Sequence, residues 1–300
     1  MEYHIHKTDL QNRLLADTLQ ALAECYAKMG MELYVVGAAA RDITMHLHNI
    51  QSVPRRTLDL DVAVALKNWE QYSQLSDMLL QRDFVKAPEK QRFYYEGIKP
   101  YKYEVDIVPF GMIAEQEVVA WPPDDSPIMS VRCFNDVMQY ADTICVENIF
   151  SFKIASLSGQ FLIKLDTWSD RHTSTKKDAA DMVFFLQNTY VAYALARPEI
   201  PPEIDVDANR FDVMVAGAEW IASDLKQMLT TEHRLFYANL FHEEVSKGEE
   251  STLLNDLLDM SSTKYYDLFR RALQRMAEIL NTSPFFPATH PCAHILNPKL

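Results

Sequence analysis

Two aspartates separated by one residue are the first candidates for chemistry in this sequence. Asp59 and Asp61 lie in the run Arg56-Thr57-Leu58-Asp59-Leu60-Asp61-Val62-Ala63-Val64. The alternation of apolar and acidic residues predicts a β-strand, so both carboxylates would project from one face, roughly 7 Å apart. Two carboxylates on a rigid strand can hold a hard divalent cation such as Mg²⁺, and without one they would repel each other. The alternative is a solvated strand face that binds no metal.

A third carboxylate, Asp106, follows in a second predicted strand, between Val105 and Ile107. An acid in such an apolar strand is costly unless it is paired or bound to a metal. If the two strands are neighbours, Asp59, Asp61 and Asp106 converge and could hold two Mg²⁺ ions, which would activate a hydroxyl and stabilise a pyrophosphate leaving group. The alternative is that Asp106 pairs with an arginine.

A turn of small residues precedes the acidic strand, in Val35-Val36-Gly37-Ala38-Ala39-Ala40-Arg41-Asp42. Such a turn from strand to helix lets backbone N–H groups approach a phosphate, which makes Gly37 and Ala38 candidate nucleotide-binding residues. Arg41, one turn into the helix, could reach a phosphate or brace an acid. A simple packing turn explains the same residues.

Cations and acids recur together further along the chain. Lys164 and Arg171 are seven residues apart and share a helix face if the helix continues, so both could bind a triphosphate. In the next predicted helix, Asp178 and Asp181 are three residues apart and follow Lys177. The alternative for these two acids is that they stabilise the helix N-terminus and pair with Arg171.

These residues are positioned by a mixed α/β half followed by a helical half. Apolar spacing and turn residues predict strands at 32–36, 56–64, 92–95, 102–110 and 117–121. The same criteria predict helices at 9–29, 37–48, 69–81, 161–168, 176–188, 211–229, 232–245, 252–260 and 264–280, with Asn68 as an N-cap. The fold class is therefore α+β, a mixed sheet with flanking helices in 1–155 and a helical domain in 156–300.

Composition limits the function classes. The chain has 300 residues, 48% of them hydrophobic, and a net charge of −13, which argues against non-specific DNA or RNA binding. Its four cysteines show no paired spacing, so a disulfide framework or zinc site is not expected. No signal peptide or membrane-length apolar run is recognisable, and we therefore expect a cytoplasmic protein that does not enter a membrane.

The order of these motifs resembles a known group. Gly37-Ala38, then Thr57-Leu58-Asp59-Leu60-Asp61, then Val105-Asp106-Ile107 is similar to the signature of the DNA polymerase β-like nucleotidyltransferase superfamily. Ala38 stands where glycine or serine is usual, and the gap from Ala38 to Asp59 is longer than the common spacing. The segments Phe161–Arg171 and Lys176–Met182 resemble AbiEii/AbiGii-type nucleotidyltransferases, the toxins of type IV toxin–antitoxin and abortive-infection systems. The resemblance covers about residues 30 to 190.

The resemblance implies transfer of a nucleoside monophosphate from an NTP to an acceptor, with Mg²⁺ as cofactor. It implies that Asp59, Asp61, Asp106 and Lys164 are catalytic, and that the first three bind the metal. It further implies nucleotide contacts from a larger set: Gly37, Ala38, Arg41, Thr57, Arg171, Lys177, Asp178 and Asp181. By the same resemblance the acceptor would be a tRNA 3′ end and a cognate antitoxin would be a partner. Two alternatives stay open, namely a small-molecule or protein acceptor and a nucleotide- or partner-binding module without turnover.

Overall fold

The structure, a computed structural model, describes residues 1–10, 12–50, 59–197, 199–262 and 265–282. The described residues form ten strands: β1 (Glu2–Ile5), β2 (Tyr34–Val36), β3 (Asp59–Ala65), β4 (Phe84–Lys86), β5 (Arg92–Tyr95), β6 (Tyr103–Phe110), β7 (Val118–Ala120), β8 (Ile128–Ser130), β9 (Asp142–Val146) and β10 (Phe150–Ile154). They also form ten α-helices: α1 (Arg13–Lys28), α2 (Gly37–Leu47), α3 (Trp69–Leu80), α4 (Phe134–Gln139), α5 (Leu157–Arg171), α6 (Lys177–Ala196), α7 (Val213–Met228), α8 (Thr231–Ser246), α9 (Thr252–Met260) and α10 (Tyr266–Asn281).

Eight of these strands form one mixed sheet in the order β1-β9-β10-β2-β3-β6-β5-β4, while β7 and β8 form a separate hairpin. At the centre, β3 is antiparallel to β2 and parallel to β6. Strand β3 carries the Asp59/Asp61 pair and β6 carries Asp106. The centre of the sheet therefore holds the acidic strands, and its edges are β1 and β4.

Helices cover the sheet and then form a bundle of their own. Helix α1 contacts β10, and α2 contacts β3, β2 and α5. Helix α5 packs on α6 and α7, and α10 packs on α7 and α8. The apolar faces predicted from sequence are those buried here, for example Leu15, Leu19 and Leu22 of α1. None of the described helices is long and apolar enough to cross a membrane.

The α+β fold class is confirmed, because every strand among the described residues lies between Glu2 and Ile154, and the described elements that follow are all helices. Several predicted boundaries were close, including α3, for which Asn68 accepts a hydrogen bond from the Gln71 amide as the N-cap. Other predictions were too short: α5 continues through Arg171, and α6 extends to Ala196 rather than Asn188. Five short strands, β1, β4, β8, β9 and β10, were not predicted.

Candidate active site

The two predicted acidic strands lie side by side, which is the condition under which the sequence brings their carboxylates together. In the parallel pairing of β3 with β6, Asp61 is directly opposite Asp106, and Asp59 is opposite Glu104. Side chains directly opposite on neighbouring strands point to the same face. Four carboxylates therefore share one face at the centre of the sheet, and Glu104 is the one that sequence reasoning missed.

Arg92, on the neighbouring strand β5, forms ion pairs with two of these acids, Asp106 and Glu104. Arg92 on β5 is the register partner of Asp106. Its Nε and Nη2 donate to the two oxygens of Asp106 at 2.8 and 2.7 Å, and Nη2 also lies 2.9 Å from Glu104. The alternative in which Asp106 pairs with an arginine is therefore what the structure contains. Each carboxylate oxygen has a second lone pair, so Asp106 retains capacity to accept from another group.

Asp59 and Asp61 are different, because neither accepts a hydrogen bond or forms an ion pair with any described residue. Asp59 is exposed, whereas Asp61 is half-buried. Burial raises the pKa of Asp61 to about 6, and the charges of Asp59 and Asp106 act in the same direction. Lys164 and Arg171 oppose this rise. Asp61 is thus a desolvated carboxylate that has no hydrogen-bonding partner in the described part of the chain, an arrangement that a bound cation would stabilise.

Gly37 closes the site on one side. It begins α2 with a φ of +68°, a conformation that favours glycine. A Cβ on this residue would lie only 2.2 Å from Oδ2 of Asp61, so the backbone at the start of α2 directly contacts the carboxylate. Ala38 follows in the first helical turn, and Val36 supplies no side-chain cap. The free N–H groups and positive dipole end of α2 therefore lie next to Asp61.

Helices α5 and α6 bring a cluster of ion pairs to the same site. Arg171 forms two hydrogen bonds with the fully buried Asp178, at 2.7 and 3.0 Å. The Lys164 ammonium lies 3.0 Å from Asp181 and 3.5 Å from Asp178. Burial works against the charged ammonium, but these two acids outweigh it and raise the pKa of Lys164. Pairing of Asp178 with Arg171, the alternative considered from sequence, is therefore present.

The Arg41 side chain forms ion pairs with two acids, Asp42 and Asp181. It is buried, and its guanidinium donates to Asp42 at 2.9 and 2.8 Å and to Asp181 at 2.9 Å. It also stacks on Phe184, with 5.0 Å from the guanidinium carbon to the ring centroid. Two roles were predicted for Arg41, namely binding a phosphate and supporting an acid, and the structure contains the second. The guanidinium is not directed to an open surface where a phosphate could bind.

The other predicted nucleotide contacts are less informative. Thr57 lies outside the described residues. Lys177 is exposed at the start of α6 and forms no ion pair with the described part of the chain. Arg92 and Glu104 were not among the predicted site residues. For Glu104 a signal existed, because in β6 it alternates with Val105 and so shares a face with Asp106.

The sheet face that carries Asp59, Asp61, Glu104 and Asp106, here called the acidic face, offers some of the ligands that a divalent cation needs. Asp59 and Asp61 offer carboxylate oxygens, which Mg²⁺ prefers, and Asp61 has no competing partner among the described residues. Within the described ranges, the one group of three ligand-type side chains whose atoms lie within 4.8 Å of one another is elsewhere, at Glu2, His4 and Cys145. The oxygens of Asp59, Asp61 and Asp106 are thus more widely spaced than that, with Asp106 bound to Arg92.

Comparison with protein-family models gives no match for this sequence. Comparison with curated proteins likewise finds none that is similar.

Proposed function

We propose that this protein is a Mg²⁺-dependent nucleotidyltransferase that moves a nucleoside monophosphate from an NTP to an acceptor hydroxyl. The observation that carries the proposal is the pairing of Asp61 and Asp106 on adjacent parallel strands, with Gly37 of α2 packed directly against Asp61. Free backbone donors at the start of a helix suit the phosphates of a nucleotide. Metal-binding carboxylates beside such donors suit an NTP–Mg²⁺ substrate.

Each group has a role in this reaction. Asp59 and Asp61 hold Mg²⁺, which when bound neutralises charge on the phosphates and lowers the pKa of the attacking hydroxyl. Asp106 accepts the hydroxyl proton through a free lone pair. The acceptor oxygen bonds to the α-phosphorus, and the bond from that phosphorus to the bridging oxygen breaks to release pyrophosphate. Lys164 at the edge of the site contributes positive charge to the phosphates.

The identity of the acceptor is proposed from the resemblance alone. A tRNA 3′ end as acceptor, and an antitoxin as partner, agree with the resemblance of Phe161–Arg171 and Lys176–Met182 to AbiEii/AbiGii-type toxins. The net charge of −13 favours an acceptor that is contacted over a small area, such as a strand end. A cytoplasmic location belongs to the same proposal.

A second candidate, nucleotide binding without turnover, is favoured by one observation. Both oxygens of Asp106 already accept from Arg92. If this pair persists when an NTP binds, the Arg92 guanidinium occupies the Asp106 carboxylate and hinders its contact with an acceptor hydroxyl. Asp59, Asp61 and α2 would then bind NTP–Mg²⁺ without catalysis.

The test uses NTPs labelled at the α-phosphate, with Mg²⁺ and total RNA from a bacterial extract. We expect wild-type protein to transfer label to RNA and release unlabelled pyrophosphate, and Asp59→Asn or Asp61→Asn to lose roughly a hundredfold or more in rate. Asp17→Asn, in α1, is the matched control with unchanged activity. NTP–Mg²⁺ binding without label transfer would support the second candidate, and absence of both binding and transfer would exclude the two together.

A further inference from the structure

A second cluster of ligand-type side chains lies far along the sheet from the acidic face, at its β1 edge. Glu2 and His4 alternate on β1, so both point to the same face. Cys145 on β9 is the direct register partner of His4 in the parallel pairing of these strands. Backbone pairing alone thus makes the three side chains neighbours, although Cys145 is 141 residues from His4 in the sequence.

Two of the three distances within this cluster are close to those between ligands in a tetrahedral metal site. His4 Nε2 lies 3.2 Å from Glu2 Oε1, and Cys145 Sγ lies 3.5 Å from the same oxygen. All three ligand atoms lie within 4.8 Å of one another. Zinc bonds of 2.0–2.3 Å at tetrahedral angles give ligand–ligand separations of about 3.3–3.6 Å. Little rearrangement is therefore needed to place an ion equidistant from the three atoms.

We propose that Glu2, His4 and Cys145 form a surface Zn²⁺ site with three protein ligands and one position open to water. A thiolate and an imidazole select a borderline-soft ion such as Zn²⁺ over Mg²⁺, which prefers oxygen ligands. The Cys145 thiol loses its proton to solvent on binding. The site is therefore chemically distinct from the acidic face and independent of the proposed nucleotidyl transfer.

The ion would cross-link strands β1 and β9 at the edge of the sheet. Among the described strands, β1 pairs with β9 alone, so within that part of the chain it is attached to the sheet on one side. A bond from Zn²⁺ to both strands closes a loop of more than a hundred residues and stabilises the folded state by mass action. Glu2 and His4 are more than half exposed, which leaves the ion accessible to solvent and to chelators. We expect affinity below that of closed structural zinc sites.

The experiment uses Co²⁺ as a spectroscopic probe and Zn²⁺ as the competitor, on the full chain kept reduced. Wild-type protein is expected to show a thiolate-to-Co²⁺ charge-transfer band that saturates at one equivalent and is abolished by Zn²⁺. Cys145→Ser should abolish the band. His4→Ala and Glu2→Gln should weaken Zn²⁺ binding by roughly tenfold or more. Zn²⁺ should raise the Tm of the wild type but not of Cys145→Ser.

Cys292→Ser is the matched control, because Cys292 lies between His290 and His294 in a part of the sequence that could also bind a metal. The band should survive this change. Survival in Cys145→Ser with loss in Cys292→Ser would overturn the proposal, as would the lack of any band in wild-type protein. Asp61→Asn should leave the band unaltered, so a failure here is distinguishable from a failure of the proposed nucleotidyltransferase activity.

Discussion

At the scale of single residues, the acids of the candidate site divide into two groups. Asp106, Asp178 and Asp181 each accept hydrogen bonds or ion pairs from arginine or lysine, so their charge is compensated within the protein. Asp59 and Asp61 have no such partner among the described residues. Asp61 is the more informative of the two, since it is half-buried and its charge is not balanced by a direct contact.

We predict that Asp61→Asn stabilises the protein at neutral pH in the absence of divalent cations. The pKa of Asp61 is about 6 in the fold against an ordinary value of 3.8, so the carboxylate opposes folding once it ionises. Stability from this residue is complete below about pH 4 and is lost as the pH rises through 6. The variant should therefore be more stable at pH 7 by up to about 3 kcal/mol, measured by urea unfolding.

The pH dependence provides the control for this prediction. The difference in unfolding free energy between Asp61→Asn and wild type should disappear below about pH 3, where Asp61 is protonated in both folded and unfolded chains. Asp59→Asn should change stability little at either pH, because Asp59 is exposed. A variant that is equally or less stable than wild type at pH 7 would contradict the proposed desolvation of Asp61.

Strand alternation predicted that Asp59 and Asp61 share a face, and it brought Asp106 to that face only if the two strands were neighbours, a condition that the pairing of β3 with β6 meets. It did not predict which partners these acids have. The Arg92–Asp106 pair depends on the register in which β5 pairs with β6, and this register cannot be read from the alternation of residues in the two strands. The burial of Arg41 against Asp181 likewise depends on the packing of α2 near α6, residues that are 140 positions apart.

At the scale of elements, the turn from β2 to α2 is the one most tightly coupled to the site. Gly37→Ala should destabilise the protein by about 2–4 kcal/mol, because alanine adopts the positive φ poorly and its Cβ would collide with the Asp61 carboxylate. Gly30→Ala is the matched control. Gly30 has a similar φ of +65° but nothing within 4 Å of an added Cβ, so only the backbone cost of about 1 kcal/mol applies.

Chemical denaturation of the two glycine variants measures this difference. Gly37→Ala should lower the unfolding free energy by more than Gly30→Ala does. This difference should become smaller when Asp61 is also replaced by alanine, since the colliding oxygen at 2.2 Å is then absent. Equal destabilisation by Gly30→Ala and Gly37→Ala would show that the carboxylate does not contact the turn.

The strands that were not predicted from the sequence lack a clear local signal. Strands β9 and β10 are joined by a three-residue loop, Glu147 to Ile149, whose first two residues have positive φ, a conformation for which hairpin turns ordinarily use glycine. Without glycine, the usual hairpin signal is missing. Strand β1 is four residues long, and its described partner is β9, more than a hundred residues away, so it exists through a non-local contact. The helices were found more readily because apolar spacing is a local property.

At the scale of the whole molecule, the sheet half and the helical half share buried polar contacts. Gln160 of α5 donates to the Thr44 hydroxyl of α2 at 3.1 Å, with both residues buried. Arg41 of α2 binds Asp181 of α6. Separating the halves would leave these polar groups without their hydrogen-bond partners, which would lower the free energy of unfolding by roughly 1–3 kcal/mol for each group. The predicted division near residue 155 is therefore expected to mark a change of architecture within one cooperative unit.

We predict that the two halves unfold together, and the four tryptophans allow a direct test. Trp69 and Trp121 contact each other in the sheet half, at 5.0 Å between ring centroids, and Trp168 and Trp220 are buried in the helical half. Trp168→Phe/Trp220→Phe leaves fluorescence from the sheet half, and Trp69→Phe/Trp121→Phe leaves that of the helical half. Within each variant, the urea midpoints from fluorescence and far-UV circular dichroism should coincide, because the shared buried contacts prevent either half from unfolding alone. Each double variant is its own control, since its two signals come from the same sample. Fluorescence midpoints that depart from those of circular dichroism, in opposite directions for the two variants, would instead indicate two domains that unfold independently.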